Sequence, residues 1–220
     1  KYRDDGPRHK QRYRLSKNND WQIRDISSSA GSTRFTLYFK NELFSDFEIN
    51  HPGVHNCMNA TAVIAILHHL GFSSDAIKRG LSCFTGVKRR QEVRGVVRNI
   101  KVIDDFAHHP TAVRETLKAL KAAEPENRLI AVFEPRTNTS RRNIFQEEYS
   151  SAFDGADIAL LREPANVEQI AEADRFSSTR LAEDLRSRNK EALAFENTDK
   201  ILDYLEKTAE LGDRIAIVSN

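Results

Sequence analysis

Short apolar runs alternate with amphipathic stretches from about Val87 onward, and this alternation limits the fold more than any other feature. Runs such as LIAVF and RIAIV are apolar throughout, which is typical of strands buried on both faces of a parallel sheet. The stretches between them have the 3.6-residue period of helices that bury one side. The alternation therefore predicts an α/β, Rossmann-like domain, with a mostly parallel sheet flanked by helices.

The pattern predicts strands at 91–98, 101–104, 128–134, 157–161, 192–195 and 214–219, and helices at 110–123, 141–153, 179–188 and 198–211. In the first of these helices, Val113, Leu117 and Leu120 share one face and are expected in the core.

The chain before Val87 has a different pattern, a hairpin followed by two helices. Alternation of Phe35, Leu37 and Phe39 predicts a hairpin of strands 34–40 and 43–49 with one buried face. A helix is expected over 54–70, stopped by Gly71, and another from Ser73 to about residue 84. The apolar stripe expected on the first helix consists of Val63, Leu67 and Leu70. We place the domain boundary between 1–86 and 87–220, at a Thr-Gly linker.

Composition excludes several classes of protein. The formal net charge is only +2, from 34 basic and 32 acidic residues, so no general attraction to nucleic acid is expected. The basic segment 1–17 is expected to be a solvated end of the chain. No apolar run approaches ~18 residues, so no membrane span is expected. The two cysteines do not suggest a disulfide framework, which favours a cytoplasmic location. The chain begins without Met and ends after a strand-like run, so we expect a fragment of a longer protein.

The segment VIDDFAHHP, residues 102–110, is the first candidate site. It predicts a strand, a tight loop and a helix start, and ligands bind at the carboxyl ends of strands in open α/β sheets. Asp105 lies further into the loop than Asp104, so its carboxylate is the better candidate for ribose hydroxyls or a magnesium-bound phosphate. His108 and His109 precede Pro110 and could contact an anion or accept a proton, although capping and packing explain such a pair equally well.

The loop EPRTNTSRR, residues 134–142, follows another predicted strand and is the second candidate site. Three arginines and three hydroxyl groups within seven residues favour an anion receptor, because guanidinium groups match carboxylates. The alternative is an exposed basic loop without a ligand.

Two weaker signals lie elsewhere. Asn56 and Asn59 are three residues apart at a helix start and could read a purine edge, although helix capping is an alternative for Asn56. Arg90 follows the linker and could bind a phosphate, or it could be solvated. No zinc site is expected, since the spacing offers no third and fourth ligand. The sequence also contains no G-x-x-x-x-G-K-[ST] motif.

These segments together resemble the Mur ligases, the ATP-dependent amide-forming enzymes of peptidoglycan assembly. The HN-x-x-N segment with Asn56 and Asn59, then Arg90 and Asp105, match the family in order and approximate spacing. VIDDFAHHPTAV resembles the branch that joins amines to UDP-N-acetylmuramate. FEPRTNTSRRNIF resembles the murein peptide ligase branch more than the L-alanine-adding branch, whose loop usually contains histidine and tyrosine.

The resemblance spans about 20–220 and implies the tail of a central ATPase domain followed by a carboxyl-terminal domain. It implies that ATP phosphorylates the muramoyl carboxylate and that the amine of L-alanyl-γ-D-glutamyl-meso-diaminopimelate attacks the acyl phosphate. ATP and Mg²⁺ are the implied cofactors. The P-loop lysine and the upstream magnesium-binding residues of the family are not in this sequence, so the fragment alone is expected to be inactive.

The resemblance also implies roles for individual residues. Asn56 and Asn59 would contact adenine, while Arg90 and Asp105 would hold ribose or phosphates. Asp105 and His108 are the candidate catalytic residues. The candidate substrate-binding residues are His109, Arg136, Thr139, Arg141 and Arg142. The alternatives are a UDP-N-acetylmuramate–L-alanine ligase and a non-catalytic module that binds nucleotides or acidic peptides.

Overall fold

A computed structural model describes residues 13–14, 19–29 and 31–219. The chain divides into two compact units, residues 1–85 and 86–220, and each is described by itself. Most of the basic segment 1–17 lies outside the described residues. Among the helices of the described part, none is both long and apolar enough to cross a membrane.

A four-stranded sheet organises the first unit. Its strands are β1 (Tyr13–Arg14), β2 (Trp21–Ser29), β3 (Ser32–Phe39) and β4 (Glu42–Ile49), in that spatial order. Strands β2, β3 and β4 are antiparallel, and β1 pairs with β2 in parallel. Phe35 and Leu37 are buried and Phe39 is half-buried, which confirms the predicted hairpin face. Its turn is made by Lys40 and Asn41, both with positive φ, as a two-residue hairpin of this hand requires.

Two helices, α1 (Val54–His69) and α2 (Ser74–Ser82), pack on this sheet around a core centred on Trp21. Gly71, at φ 87°, ends α1 in a Schellman motif, since Phe72 N–H donates to Leu67 O and Gly71 N–H to His68 O. The predicted apolar stripe on α1 is wrong at two of its three residues: Val63 is 47% and Leu70 is 65% exposed, while Leu67 packs against the core. The residues that α1 buries lie on another side of the helix, and all except Ile64 are small: Cys57, Ala60, Thr61, Ile64 and Ala65.

A six-stranded sheet forms the second unit, and it confirms the predicted fold class. The strands are β5 (Glu92–Val97), β6 (Ile100–Asp105), β7 (Leu129–Phe133), β8 (Ile158–Arg162), β9 (Glu191–Phe195) and β10 (Arg214–Val218). Their spatial order is β5-β6-β10-β7-β8-β9. All neighbouring pairs are parallel except β5 and β6, which form an antiparallel hairpin.

Four helices connect the parallel strands and cover the two faces of the sheet: α3 (Pro110–Ala123), α4 (Gln146–Ala152), α5 (Ser178–Ser187) and α6 (Thr198–Thr208). On one face, Leu117 of α3, Tyr149 of α4 and Leu181 of α5 pack against β7 and β8. On the other face, Ile201 of α6 packs against Ile130 and Leu160. The second face explains why LIAVF shows no polar alternation: Leu129, Ala131 and Phe133 belong to one core and Ile130 to the other.

Helix α3 has the predicted bounds, with Val113 and Leu117 fully buried and Leu120 packed against them. The helix predicted over 141–153 starts later, with a 3₁₀ turn at Asn143–Phe145 before α4. Arg142 has extended backbone angles because it forms a β-bridge with Arg175. The helix predicted to end at residue 211 ends at Thr208, because the chain then turns through a bond from Glu210 N–H to Asp213 Oδ2.

Gly155 tests how closely the chain packs against α3. A Cβ at this position would lie 2.9 Å from both the carbonyl carbon of Leu117 and the amide nitrogen of Lys118. Because helix backbone cannot move aside easily, we expect Gly155→Ala to lower the free energy of unfolding of the second unit by about 1–3 kcal/mol. The matched control is Gly95→Ala on β5, where a Cβ would meet no atom within 4 Å. Its effect should stay within about 0.5 kcal/mol. Equal midpoints of chemical denaturation for the two variants would contradict the packing described here.

Candidate active site

The carboxyl ends of β6, β10 and β7 meet at one rim of the second sheet, where open α/β sheets bind ligands. Ser219, directly after β10, links the strand ends on both sides. Its N–H donates to Asp105 O at 3.1 Å, and its hydroxyl donates to Glu134 O at 3.3 Å. The segments that follow β6 and β7 therefore start from bonded neighbours, so both candidate sites from the sequence lie at this rim.

Asp105 ends β6 and is only 4% exposed. One carboxylate oxygen accepts a bond from Gln91 N–H at 2.9 Å and the other from Ala107 N–H at 2.8 Å. The carboxylate thus holds the loop after β6 and the segment before β5. A nucleotide contact of Asp105 stays a prediction.

Two arginines flank Phe106, the first residue after β6. The guanidinium of Arg89 lies 5.0 Å and that of Arg90 5.5 Å from the centre of the ring. Arg89 also bonds to Ser219 O at 2.8 Å and lies 3.4 Å from the Asp104 carboxylate. Arg90 is exposed and has no ion pair within the described residues, so it is the arginine of this pair that is available to an anion.

The His108 ring is held in one orientation. Its Nδ1 lies 2.8 Å from Phe106 O, and a carbonyl oxygen can only accept, so Nδ1 donates. In the neutral ring this leaves Nε2 as an acceptor. The backbone carbonyl of His108 accepts a bond from the hydroxyl of Tyr149 on α4. Burial raises the pKa of Tyr149 above its usual range, so the hydroxyl stays a donor. The half-buried imidazole is therefore a preformed proton acceptor at the rim.

The side chain of His109 stabilises the start of α3. It is the N-cap of α3, and its Nδ1 accepts a bond from Thr111 N–H at 3.3 Å. Its ring packs edge-on against Phe145, with 4.6 Å between the ring centres. Capping and packing, the alternative raised for the histidine pair, thus describe His109, while its predicted contact with substrate stays untested.

The loop after β7 is held by hydrogen bonds at its centre and carries one exposed arginine. Thr137 and Ser140 bond reciprocally: Thr137 N–H donates to Ser140 Oγ at 3.0 Å, and Ser140 N–H donates to Thr137 Oγ1 at 3.0 Å. Arg136 and Thr139 are exposed. Arg136 makes no hydrogen bond or ion pair with any residue that the structure describes. The loop thus presents a cation on a fixed backbone.

Arg141 and Arg142 differ, although they are adjacent. Arg141 donates to Asn138 Oδ1 at 2.8 Å and to Asn166 O at 2.7 Å, so its guanidinium connects this loop to the loop after β8. Arg142 is half-buried, and its side chain has no such bond within the described residues. Of the two, Arg142 is therefore the residue free to meet a ligand.

Three residues of the rim carry no sequence motif and were missed by sequence reasoning. Tyr149 supports His108, and Arg175 faces Arg142 in the β-bridge. Glu163 follows β8 and accepts bonds from Ser178 N–H and Thr179 N–H at the start of α5. Only Glu163 had a usable signal, because a charged residue directly follows a predicted strand.

In the first unit, Asn56 and Asn59 lie one turn apart on α1, near its amino end. The N-cap of α1 is Gly53, so Asn56 does not cap this helix. The side-chain Nδ2 of Asn56 donates a hydrogen bond to Pro52 O at 2.8 Å. Asn59 is exposed, and its carboxamide makes no hydrogen bond to a described residue. Both side chains thus keep hydrogen-bonding groups that a nucleobase could use.

The described residues include no group of three or more histidine, cysteine, aspartate or glutamate side chains that could hold a metal ion. Asp105, the candidate for ribose hydroxyls or a magnesium-bound phosphate, accepts bonds from two backbone N–H groups, and its predicted role stays a prediction. The donor set in this part of the chain does not fit a metal centre of its own.

Comparison with known proteins gives consistent matches. The family described as "Mur ligase, glutamate ligase domain" matches residues 89–220. The UDP-N-acetylmuramate–L-alanine ligase of Acetivibrio thermocellus is 37% identical over 201 residues, which are 91% of this chain and 42% of that protein.

Solved structures agree. A murein peptide ligase of Psychrobacter arcticus has a TM-score of 0.61 and 32% identity, covering 92% of this chain and 41% of that one. A UDP-N-acetylmuramate–alanine ligase of Thermotoga maritima has a TM-score of 0.74, with 93% and 43% covered. At 24% identity, that likeness shows the fold alone. The chain spans less than half the length of each of these three proteins.

The bonds of Asp105 generate a prediction about stability. In Asp105→Asn, one of the two side-chain oxygens becomes an NH₂ group, which cannot accept a hydrogen bond. One of the two backbone N–H groups that Asp105 binds, that of Gln91 or that of Ala107, therefore loses its partner. We expect a loss of about 1–3 kcal/mol in the free energy of unfolding of the second unit at neutral pH. Asp104→Asn, which removes the partly exposed pair with Arg89, should cost less than about 1 kcal/mol. Denaturant titration followed by circular dichroism measures both, and an equal cost would refute the buried role of Asp105.

Proposed function

This chain belongs to the Mur ligase family, and we propose that it forms the amine-receiving part of an ATP-dependent ligase that builds an amide on UDP-N-acetylmuramate. Members of the family are ATP-dependent amide ligases of peptidoglycan assembly. UDP-N-acetylmuramate is proposed as the substrate that receives the amine because the relative from Acetivibrio thermocellus is a UDP-N-acetylmuramate–L-alanine ligase.

The observation that carries the proposal is that the oriented His108 imidazole lies at the same rim of the sheet as the loop that carries the exposed Arg136 and the half-buried Arg142. In this family ATP supplies the phosphoryl group that activates a carboxylate. An amine then has to lose a proton as it attacks, and His108 Nε2 is an oriented acceptor for that proton. The arginines would hold the carboxylate of the amine substrate and so fix its distance from the acyl carbon.

For the nucleotide, the proposal keeps Asn56 and Asn59 as adenine contacts and Arg90 as a phosphate contact. It is supported by the unused carboxamide groups of the two asparagines and the unpaired guanidinium of Arg90 among the described residues. Asp105 would act on the nucleotide indirectly, by positioning Arg90, because its carboxylate fixes the backbone of the adjacent Gln91.

L-alanine is the amine that the comparisons support better, because the relatives at 33–37% identity are UDP-N-acetylmuramate–L-alanine ligases. The tripeptide L-alanyl-γ-D-glutamyl-meso-diaminopimelate is the second candidate. It is favoured by the exposed Arg136 and half-buried Arg142, which suit a substrate with several carboxylates, and by the 32% identity to a murein peptide ligase.

The test is release of ADP by the complete polypeptide encoded by the reading frame that contains this chain. We expect turnover that requires both UDP-N-acetylmuramate and an amine, with a higher kcat/KM for L-alanine than for the tripeptide. His108→Gln removes the proton acceptor and should lower kcat by about 10²-fold to 10⁴-fold. The matched control, His69→Gln, changes an exposed histidine of α1 and should leave kcat unchanged.

Each outcome has a distinct meaning. A preference for the tripeptide would replace the first candidate by the second. No turnover with either amine would leave the non-catalytic binding module, which calorimetric titration with nucleotide would then detect. Full activity of His108→Gln would remove His108 from the mechanism while leaving the ligase in place.

A further inference from the structure

Two arginines face each other across the two loops that follow β7 and β8. Arg142 and Arg175 form an isolated antiparallel β-bridge. The flanking bond runs from Phe176 N–H to Arg141 O, at 3.0 Å, so the two arginines are a non-hydrogen-bonded pair. In such a pair the Cα atoms are about 4.5 Å apart. The two side chains of a directly opposed pair leave the same face. The bridge therefore starts the two arginine side chains next to each other on one face.

Other bonds hold this arrangement in place. Asn143 Nδ2 donates to Ala173 O at 2.7 Å on one side of the bridge. On the other side, Arg141 donates to Asn166 O at 2.7 Å. Within the second loop, Arg175 Nε donates to Ile170 O at 2.8 Å, which orients its guanidinium and leaves the two terminal nitrogens for a ligand. The two loops are thus joined independently of any contact between the arginine side chains.

The charge of the pair is not neutralised. Like charges directly opposite each other destabilise a strand pair. Other arginines of the second unit have a carboxylate partner: Arg128 has Asp213, Arg188 has Asp154 and Arg214 has Glu124. Neither Arg142 nor Arg175 has a carboxylate oxygen within 4.0 Å among the described residues. Two neighbouring arginines that lack a carboxylate partner among the described residues are an arrangement that an anion would stabilise.

We propose that Arg142 and Arg175 together bind the carboxylate of the amine substrate, and that Arg175 is a specificity-determining residue of the ligase. This rests on the proposed function. A carboxylate fits better than a spherical anion, because two planar forks can each donate to one of its oxygens. Arg141 holds the two loops together, and its substrate contact, predicted from the sequence, stays a prediction. The carboxylate can belong to a free amino acid or to a peptide, and the experiment separates these sources.

The experiment compares each amine with an analogue that lacks the carboxylate. The complete polypeptide and its Arg175→Gln variant are assayed for ADP release with L-alanine, L-alaninamide and the tripeptide. For whichever of L-alanine and the tripeptide is the substrate, we expect Arg175→Gln to raise KM about tenfold to a hundredfold, as loss of a charge-assisted hydrogen bond does. KM for ATP should stay within twofold. Reaction with L-alaninamide should be equally slow in both proteins, because the amide offers no carboxylate to lose.

Four further variants control the interpretation. Arg142→Gln should resemble Arg175→Gln, and the double variant should lose less than the product of the two single losses, because both residues hold one group. Arg175→Lys should recover part of the affinity through its charge. Arg98→Gln removes an exposed arginine from the turn before β6, at the end of that strand opposite the rim. It should change neither the KM for the amine nor the KM for ATP.

Equal losses for the acid and the amide, or no change in KM for Arg175→Gln, would overturn the arginine pair while the ligase stands. No turnover by the unsubstituted protein would overturn the proposed function instead. In that case calorimetric titration with the tripeptide tests whether Arg142 and Arg175 bind a carboxylate. Weaker binding by Arg175→Gln would support it, and equal dissociation constants for the two proteins would reject it.

Discussion

Insertion of the last strand, β10, between β6 and β7 is the constraint on which the second unit depends. Arg214–Val218 pairs in register with both neighbours, and Ala216 and Val218 are fully buried between them. Without this strand β6 and β7 would have no common hydrogen-bonded neighbour, and the loops after them would not share a rim. Ser219 extends the constraint by one residue, through its bonds to the carbonyls of Asp105 and Glu134.

Charged and polar groups at this rim divide into those used by the fold and those left for chemistry. Asp105 and Arg141 form several hydrogen bonds within the protein and shape the loops. His108 uses one ring nitrogen for orientation and keeps the other. Arg136 and Arg142 have unused guanidinium groups among the described residues. Such a division is expected where a site must be rigid before its ligand arrives, because preorganised groups need little rearrangement to bind or react.

The sequence predicted most of the second unit because its strands are buried on both faces and α3 has a clear period. It failed where the signal was ambiguous. Strand β2 was missed because WQIRDISSS contains few apolar residues, although Trp21 and Ile23 are buried. On α1 several large apolar residues are exposed while small ones are buried, so hydrophobicity indicated the wrong side. Residue type could not separate Arg141 from Arg142, since their difference comes from partners far away in sequence.

The opposed arginines also bear on the choice between the two candidate amines. L-alanine has a single carboxylate, and the Arg142–Arg175 pair is sufficient to bind it. Arg136 would then remain a third unneutralised cation on the same loop, for which a single amino acid offers no partner. The tripeptide has several carboxylates and could use both positions. The loop therefore suits the peptide better than sequence identity alone suggests, and the two lines of reasoning differ because identity averages over the whole chain while selectivity depends on a few charged side chains.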